Sequence, residues 1–363
     1  MTASPVMTSV DAALREPPGG PAPALREAVA FNCRLSDARH ARELTLCTYL
    51  LEMRELFRWE HGIRPGVALP RDAVGAWIAE REAQWGALEG REYRPLPLAA
   101  GEVDPFDVEA ANAELLGQGL VYGAGVGRHG KPQFFLAALA CEEWRGDLRI
   151  LVAGAEYARD IAPAPAALRA KTAYVRQDAL ERWIAGRAES WAPRRADGAM
   201  KAALDAYRCG DGDPDAFARM ARAETEAAIL HEMGEHAAGA RLGPAWSTAL
   251  AAIARTPAEL YARAARDHLA DCLVTLPMLM ARGATASLHF WFANLDGMRR
   301  EAFPRIAGSY AAFRDGDMRP LEDAVAFGAA HFDAVCRRIA EAGELGTERA
   351  VRAVDALRAA AVR

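Results

Sequence analysis

Hydrophobic positions along the chain change their period twice. From Ala24 to about Glu60 apolar residues recur at helical spacing, with Leu44, Cys47, Leu51 and Met53 leading into Phe57 and Trp59. This predicts one long helix, or two with a break near Ser36. HGIRPGVALPRD reads as a loop, and 73–88 as a helix carrying Trp77 and Trp85 with Asp72 as its cap. A Pro-rich stretch, 95–105, reads as a connection, and 108–116 as a short helix. The texture then changes to LVYGAGVGRHGKPQFFLAAL, LRILVAGAEYARDI and TAYVRQDALERW, short β-rich runs around Gly-rich turns. From Gln177 the helical period returns, predicting helices over 177–187, 197–208, 214–241, 244–254, 256–282, 285–297, 300–314, 319–342 and 346–361.

The expected fold is mainly α, a multi-helix bundle with a small inserted β-sheet, α+β overall. Residues 1–23, ending in PPGGPAP, form a flexible lead-in, because that composition supports no helix and buries little apolar area. Residues 24–118 supply N-terminal helices, 119–176 the β-rich insertion and 177–363 the C-terminal helical bundle. Short Gly- and Pro-punctuated loops in that last part fit antiparallel neighbours.

Composition narrows the function classes. Hydrophobic residues at 52% against 26% charged describe a folded globular chain, and a formal charge of −5 gives no general attraction to phosphate backbones. Nucleic acid is therefore not an expected partner, while a small-molecule substrate or self-association is. The most apolar stretch, Leu273 to Phe292, is interrupted by Pro277, Arg282, Gly283 and His289, so it reads as buried helix, turn and buried helix, with no membrane span. MTASPVMTSVDAALRE lacks a basic region followed by an apolar one, which argues for a cytoplasmic protein. The six cysteines are widely spaced with no CxxC pair, and are expected to be reduced, small apolar fillers.

Two apparent motifs dissolve on inspection. Gly125 to Gly130 spells GxGxxG, but Lys131-Pro132-Gln133-Phe134-Phe135-Leu136 follows as a strand where a dinucleotide turn requires a helix, so a hairpin turn is expected. Asp211, Asp213 and Asp215 alternate as in a calcium loop, yet Ala216 and Arg222 stand where Gly and Glu are needed. CGDGDPDAF reads instead as a turn, with Asp213 capping a helix that starts at Pro214.

The helix from 214 carries the strongest chemical signal. At about 100° per residue, Glu224, His231 and Glu235 fall within roughly 40° of one another on one stripe, while Glu232 and His236 mark an exposed edge. Carboxylate and imidazole projecting into a bundle suit iron or manganese. Asp37 and His40 on the first helix, Asp267 and Asp271 at i,i+4 with His268 beside them, and His289 in apolar SLHFWF are candidates to complete such a site. The expected function is a metal-dependent protein, an oxidoreductase among the options. The alternative is a non-enzymatic helical interaction or assembly protein, whose Glu/His stripe is a buried polar network fixing helix register. Convergent ligands from two helices mark the first, and interleaved Arg or Lys the second.

Other constellations are weaker. Cys33, Asp37, His40 and Cys47 fall near one face of the first helix, which raises a Cys–His pair, but no oxyanion arrangement accompanies it. Glu156, Tyr157, Arg159 and Asp160 in AGAEYARDI raise a hydrolase built on the sheet, although ion pairs at the surface or between domains explain the charges more simply. The spacing Glu224-x6-His231 resembles the first metal-binding helix of heme-oxygenase-like di-iron oxidases, but their later His-x3-Asp-x2-His motif is missing: DHLADC has a different spacing. NCRLSDARHARELTLCTYLLEMRELFRWEHG, the HEMGE segment and AGAEYARDIAP together resemble an uncharacterised family of bacterial hypothetical proteins over nearly the whole chain. That resemblance implies a bacterial cytoplasmic setting and no activity.

Overall fold

The computed structural model describes residues 20–127, 130–193, 196–209, 213 and 215–361, in two compact units divided between Glu189 and Ser190. The first unit opens with α1 (Pro23–His40), α2 (Leu46–Glu60) and α3 (Arg71–Gly86). The break falls at a 3-10 turn, Ala41–Glu43, and not near Ser36. Its cause is local: Thr45 turns extended and its hydroxyl accepts from the Thr48 N–H, which starts a new helix. Ser36 instead lies buried within α1, donating to the Pro132 carbonyl. Pro70 occupies the cap of α3, so Asp72 sits in the first turn, where it complements the helix dipole without capping.

The connection expected over 95–105 holds a small hairpin, β1 (Leu96–Leu98) paired with β2 (Gly101–Val103). After α4 (Val108–Leu115), capped by the Asp107 carboxylate on Ala110 N–H, come β3 (Leu120–Val126), β4 (Pro132–Arg145), β5 (Leu148–Arg159), β6 (Ala166–Arg169) and β7 (Thr172–Arg176). They form a mixed sheet in the order β3-β4-β5-β7-β6, with β5 and β7 parallel. The glycine run is the β3–β4 hairpin: Val126 pairs with Pro132, and Gly127 N–H donates to Lys131 O at 2.7 Å. Arg128 and His129 lie outside the described residues. Gly146, at φ +64°, supplies the left-handed residue of the two-residue turn joining β4 to β5. Leu25, Val29 and Cys33 of α1 share a core with Phe134, Leu136 and Ala153. On edge strand β3 the buried Asn112 amide pairs with both backbone groups of Tyr122, donating to its carbonyl at 2.8 Å and accepting from its N–H at 2.9 Å. Helix α5 (Gln177–Trp191) follows β7 directly.

The second unit is helical: α6 (Ala199–Ala206), α7 (Ala216–Leu242), α8 (Pro244–Ala252), α9 (Pro257–Ala270), α10 (Leu276–Ala281), α11 (Thr285–Ala293), α12 (Gly297–Ala302), α13 (Pro304–Arg314), α14 (Arg319–Ala342) and α15 (Thr347–Ala361). Proline stands in the first positions of α8, α9, α13 and α14, where its missing N–H has no helical partner to lose. Pro304 also divides into two the helix expected over 300–314. Asp213 accepts from the Asp215 N–H at 2.8 Å, and the cap position of α7 is Asp215; Asp211 and Pro214 lie outside the described residues. A π-helical turn, Asp271–Thr275, joins α9 to α10. Leu230, Tyr261, Leu269, Phe303, Phe332 and Ile339 lie in one core. Against it α7 and α9 approach so closely that a Cβ on Gly234 would meet the Ala270 carbonyl oxygen at 2.4 Å. Among the described residues, no helix is long and apolar enough to cross a membrane.

Candidate functional site

The close crossing of α7 and α9 brings His231, Glu235, Asp267 and Asp271 together. His231 Nδ1 lies 2.8 Å from Asp271 Oδ1, and its Nε2 lies 3.8 Å from Glu235 Oε1. One donor atom each from His231, Glu235 and Asp267 fall within 4.8 Å of one another, and all three residues are half-buried. Asp271 is fully buried, and its Oδ2 accepts from Trp291 Nε1 at 3.0 Å and from Arg299. Burial alone would raise its pKa, but Arg299 and then His231 outweigh that and hold the carboxyl well below the usual carboxylate range. The π turn begins at Asp271 itself, whose N–H still donates to the Asp267 carbonyl, so the i,i+4 relation between the two is kept and the wider winding follows it.

Cations are interleaved with these groups. Arg266 pairs with Glu235 and lies 3.9 Å from Asp267, while Arg299 pairs with Asp271. For His231 burial lowers the pKa, yet Asp271, with Glu232 and Glu235 adding, lifts it to about 10. Glu232 is buried and not on an exposed edge, and His236 is half-buried. A helix packed on more than one side buries residues about 100° apart. Burial pushes Glu232 up to about 8, and its Oε2 has no hydrogen-bond partner among the described residues.

The remaining candidates have other partners. Glu224 accepts from the Tyr207 hydroxyl at 2.5 Å, and Tyr207 also meets Ser287 Oγ at 3.2 Å; burial pushes Glu224 up to about 7 against these hydrogen bonds. It is therefore not part of the His231 group. His289 Nδ1 lies 3.1 Å from the Tyr310 hydroxyl beside Phe313. His268 stacks on Phe332 and bonds the Arg299 carbonyl at 2.7 Å; burial, then Arg299, lowers it to about 4, so it is a neutral core imidazole. Asp37 and His40 belong to the first unit. There Asp37 is ion-paired with Lys131 at 2.6 Å and accepts from the Ile161 N–H, while His40 lies 3.6 Å from Glu43. Cys33 and Cys47 stand on different helices, so the Cys–His face does not form. Cys47 is exposed; Cys33 is buried, donating to Phe134 O, and burial holds its thiol up.

The first unit holds a charge cluster whose members were expected to form ion pairs at the surface or between domains. Glu156, Arg159, Asp160 and Arg176 are all buried. Glu156 Oε1 pairs with Arg176 Nε at 2.6 Å, and its other oxygen lies 3.9 Å from Arg159 Nε. The physical reason is a β-bulge. Leu136 pairs with Ala158 and Ala137 with Glu156, leaving Tyr157 extra, so Glu156 and Arg159 share a side that i and i+3 never share in a regular strand. Nearby, burial raises Asp37 to about 6 against Lys131, and Glu52 to about 7 against Arg159. Glu156, Arg159 and Arg176 offset one another as opposite charges, which makes their burial tolerable, while Asp160 accepts from the Ala162 N–H at 3.2 Å.

Chemically, the α7–α9 crossing offers an imidazole fixed through one nitrogen by a buried carboxylate, with Glu235 3.8 Å from its other nitrogen and Asp267 in the same group. Carboxylate–histidine pairs of this kind orient metal-binding imidazoles. Among known sequences, the N-terminal domain of the family of unknown function DUF6866 matches residues 24–176, and its C-terminal domain matches 181–360. Neither match involves the heme-oxygenase-like oxidases. No curated protein and no solved structure matches the chain. With both domains matched in order over nearly its whole length, the chain belongs to the DUF6866 family of unknown function.

Proposed function

We propose that the second unit binds a divalent transition metal, iron or manganese, through His231, Glu235 and Asp267, and that the protein is metal-dependent, an oxidoreductase being one option. The observation that supports this is the convergence of three ligand-type atoms within 4.8 Å, contributed by two helices. Mixed oxygen and nitrogen donors suit these ions, and three protein ligands leave positions open for a small-molecule substrate. Charge balance is compatible: Glu235, Asp267 and Asp271 face Arg266 and Arg299, so a neutral imidazole leaves a net negative centre. Metal binding on this reading removes the His231 proton and turns Arg266 away from Glu235. Six free cysteines support a reducing compartment, and with it the cytoplasm, as the setting.

Elemental analysis of protein purified without chelator tests this. About one iron or manganese per chain, lost in His231→Ala, is the expected result; wild-type protein without stoichiometric transition metal, even after reconstitution, overturns it. A second reading, a polar network that fixes helix register in an assembly protein, is favoured by Arg266 and Arg299 interleaved among the carboxylates. On that reading His231→Ala lowers stability and moves no metal.

A further inference from the structure

Helix α2 of the first unit is apolar on two sides. Its inner side buries Met53, Leu56 and Phe57. It opens with LCTYLL, six residues without a charge, and there the outer side holds Leu46, Cys47, Leu50 and Leu51. These four stay out of the core: Leu46 is 71%, Leu50 43% and Leu51 52% exposed, and Cys47 is exposed as well. Their spacing, i, i+1, i+4 and i+5, gathers them within about 140° of the helix surface. An apolar patch of this kind on a helix whose other side is already packed marks a surface for association. We propose that a second copy of this chain covers it, with α2 packed antiparallel on α2 across a two-fold axis.

The charges at the two ends of the patch argue for this partner and fix its register. Centred between Thr48 and Tyr49, an isologous antiparallel pair sets Leu46 against the partner's Leu51 and Cys47 against the partner's Leu50. Continued outward, the same register sets Arg54 against the partner's Glu43 and Glu55 against the partner's Arg42, opposite charges at both ends. Arg42 and Glu43 lie in the 3-10 turn Ala41–Glu43 that leads into α2, beside the patch. A shift of one residue one way brings Arg42 against Arg54, and one residue the other way brings Glu43 against Glu55. A parallel pair would set each charge against its own copy. The patch is therefore self-complementary in one arrangement and repulsive in its neighbours. Within the chain, Arg54 pairs with Glu189, Arg42 with Glu89 and Glu55 with Arg58, and Glu43 lies 3.6 Å from His40. Exposed pairs of this kind contribute little, so they extend across a two-fold interface without a stable arrangement being lost. None of these residues takes part in the proposed metal site, and the inference stands apart from it.

Sedimentation equilibrium of the full chain is the test, and a reversible dimer is the expected result. Arg54→Glu faces Glu43 with a like charge twice in each dimer and should weaken association at least about tenfold, and adding Glu43→Arg in the same chain should restore it. Leu50→Glu should also weaken it at least about tenfold by placing a charge within the patch, with an unchanged circular dichroism spectrum because Leu50 lies outside the core. Alkylation of Cys47 should be slow in the dimer and fast in Leu50→Glu. A monomer at every concentration overturns the proposal: Cys47 that is alkylated freely leaves the face open, and protected Cys47 puts another part of the same chain on it. A dimer that Leu50→Glu leaves intact, or a loss in Arg54→Glu that the second charge change does not restore, overturns it as well.

Discussion

Asp271 and His231 meet at 2.8 Å across the closest approach of two helices, and the second oxygen of Asp271 is already taken by Trp291 and Arg299. The carboxylate is therefore a fixed anchor, and the imidazole the part it orients. Asp271→Asn should keep the metal stoichiometry at saturation but weaken affinity by about 10–100-fold, as losses of such orienting partners do. Competition with a chromophoric chelator measures this, and wild-type affinity in the variant would remove Asp271 from the site.

Arg266 competes with any cation for Glu235 and Asp267. Two unit charges about 4 Å apart at an effective dielectric of about 20 repel by about 4 kcal/mol. Relieving even part of that in Arg266→Ala should tighten metal binding at least about tenfold, while the polar-network reading predicts only a loss of stability. The same chelator assay beside urea unfolding separates the two.

At position 234 an added methyl would meet backbone, not a yielding side chain. Gly234→Ala should destabilise the chain by about 1–3 kcal/mol or more, since overpacking here forces α7 and α9 apart. The chemical shift of the His231 imidazole should move with it. An unchanged unfolding midpoint would mean that the helices are not held this close.

Glu224 offers a pH signature. Its folded pKa, raised by burial to about 7, lies above the ordinary carboxyl value, so the native state holds the proton more tightly than the unfolded chain. The stability this gives is present at low pH and lost as pH rises from the ordinary value through about 7. Glu224→Gln keeps an acceptor for Tyr207 and removes the titration. Its stability relative to wild type should therefore rise between pH 5 and pH 8, by at most about 3 kcal/mol at about 1.4 kcal/mol per unit. Urea denaturation across that range showing parallel curves contradicts this.

In the first unit, Glu156→Ala strands the buried Arg176 and Arg159 and should destabilise by about 3–5 kcal/mol. Lys171→Ala breaks the exposed pair with Asp147 and should change stability by less than about 1 kcal/mol. Thermal unfolding of the two variants gives the contrast, and similar midpoints would show that the Glu156 cluster is not structural.

The helices were legible because periodicity reports burial on one face, and that rule holds for most of α7, α9 and α14. It failed at Glu232, on a helix enclosed on more than one side. The hairpin at Gly125–Gly130 was legible from the strand after it, whereas β1 and β2 are three residues each and leave no period to read, with Pro97 masking the first. The break at Ala41–Glu43 left no mark in the period, because apolar residues keep helical spacing on both sides of Thr45. At the site, His231 and Glu235 followed from spacing, and Asp267 from its place on a neighbouring helix. The part played by Arg266 and Arg299 did not follow, because arginines on amphipathic helices read as solvent-facing. The bulge at Tyr157 was likewise invisible: one extra residue in a strand leaves no compositional mark, yet it turned Glu156 and Arg159 to one side of β5.

The Asn112 side chain stands in for a neighbouring strand at Tyr122. An outer strand that is long, apolar and unpaired invites a foreign segment to add itself, and β3 is seven residues of LVYGAGV. With its central hydrogen-bonding position answered from within the chain and α4 laid alongside, that margin is closed to recruitment. Replacing Asn112 by Leu would therefore reopen the margin and show itself as concentration-dependent aggregation, even where the fold survives.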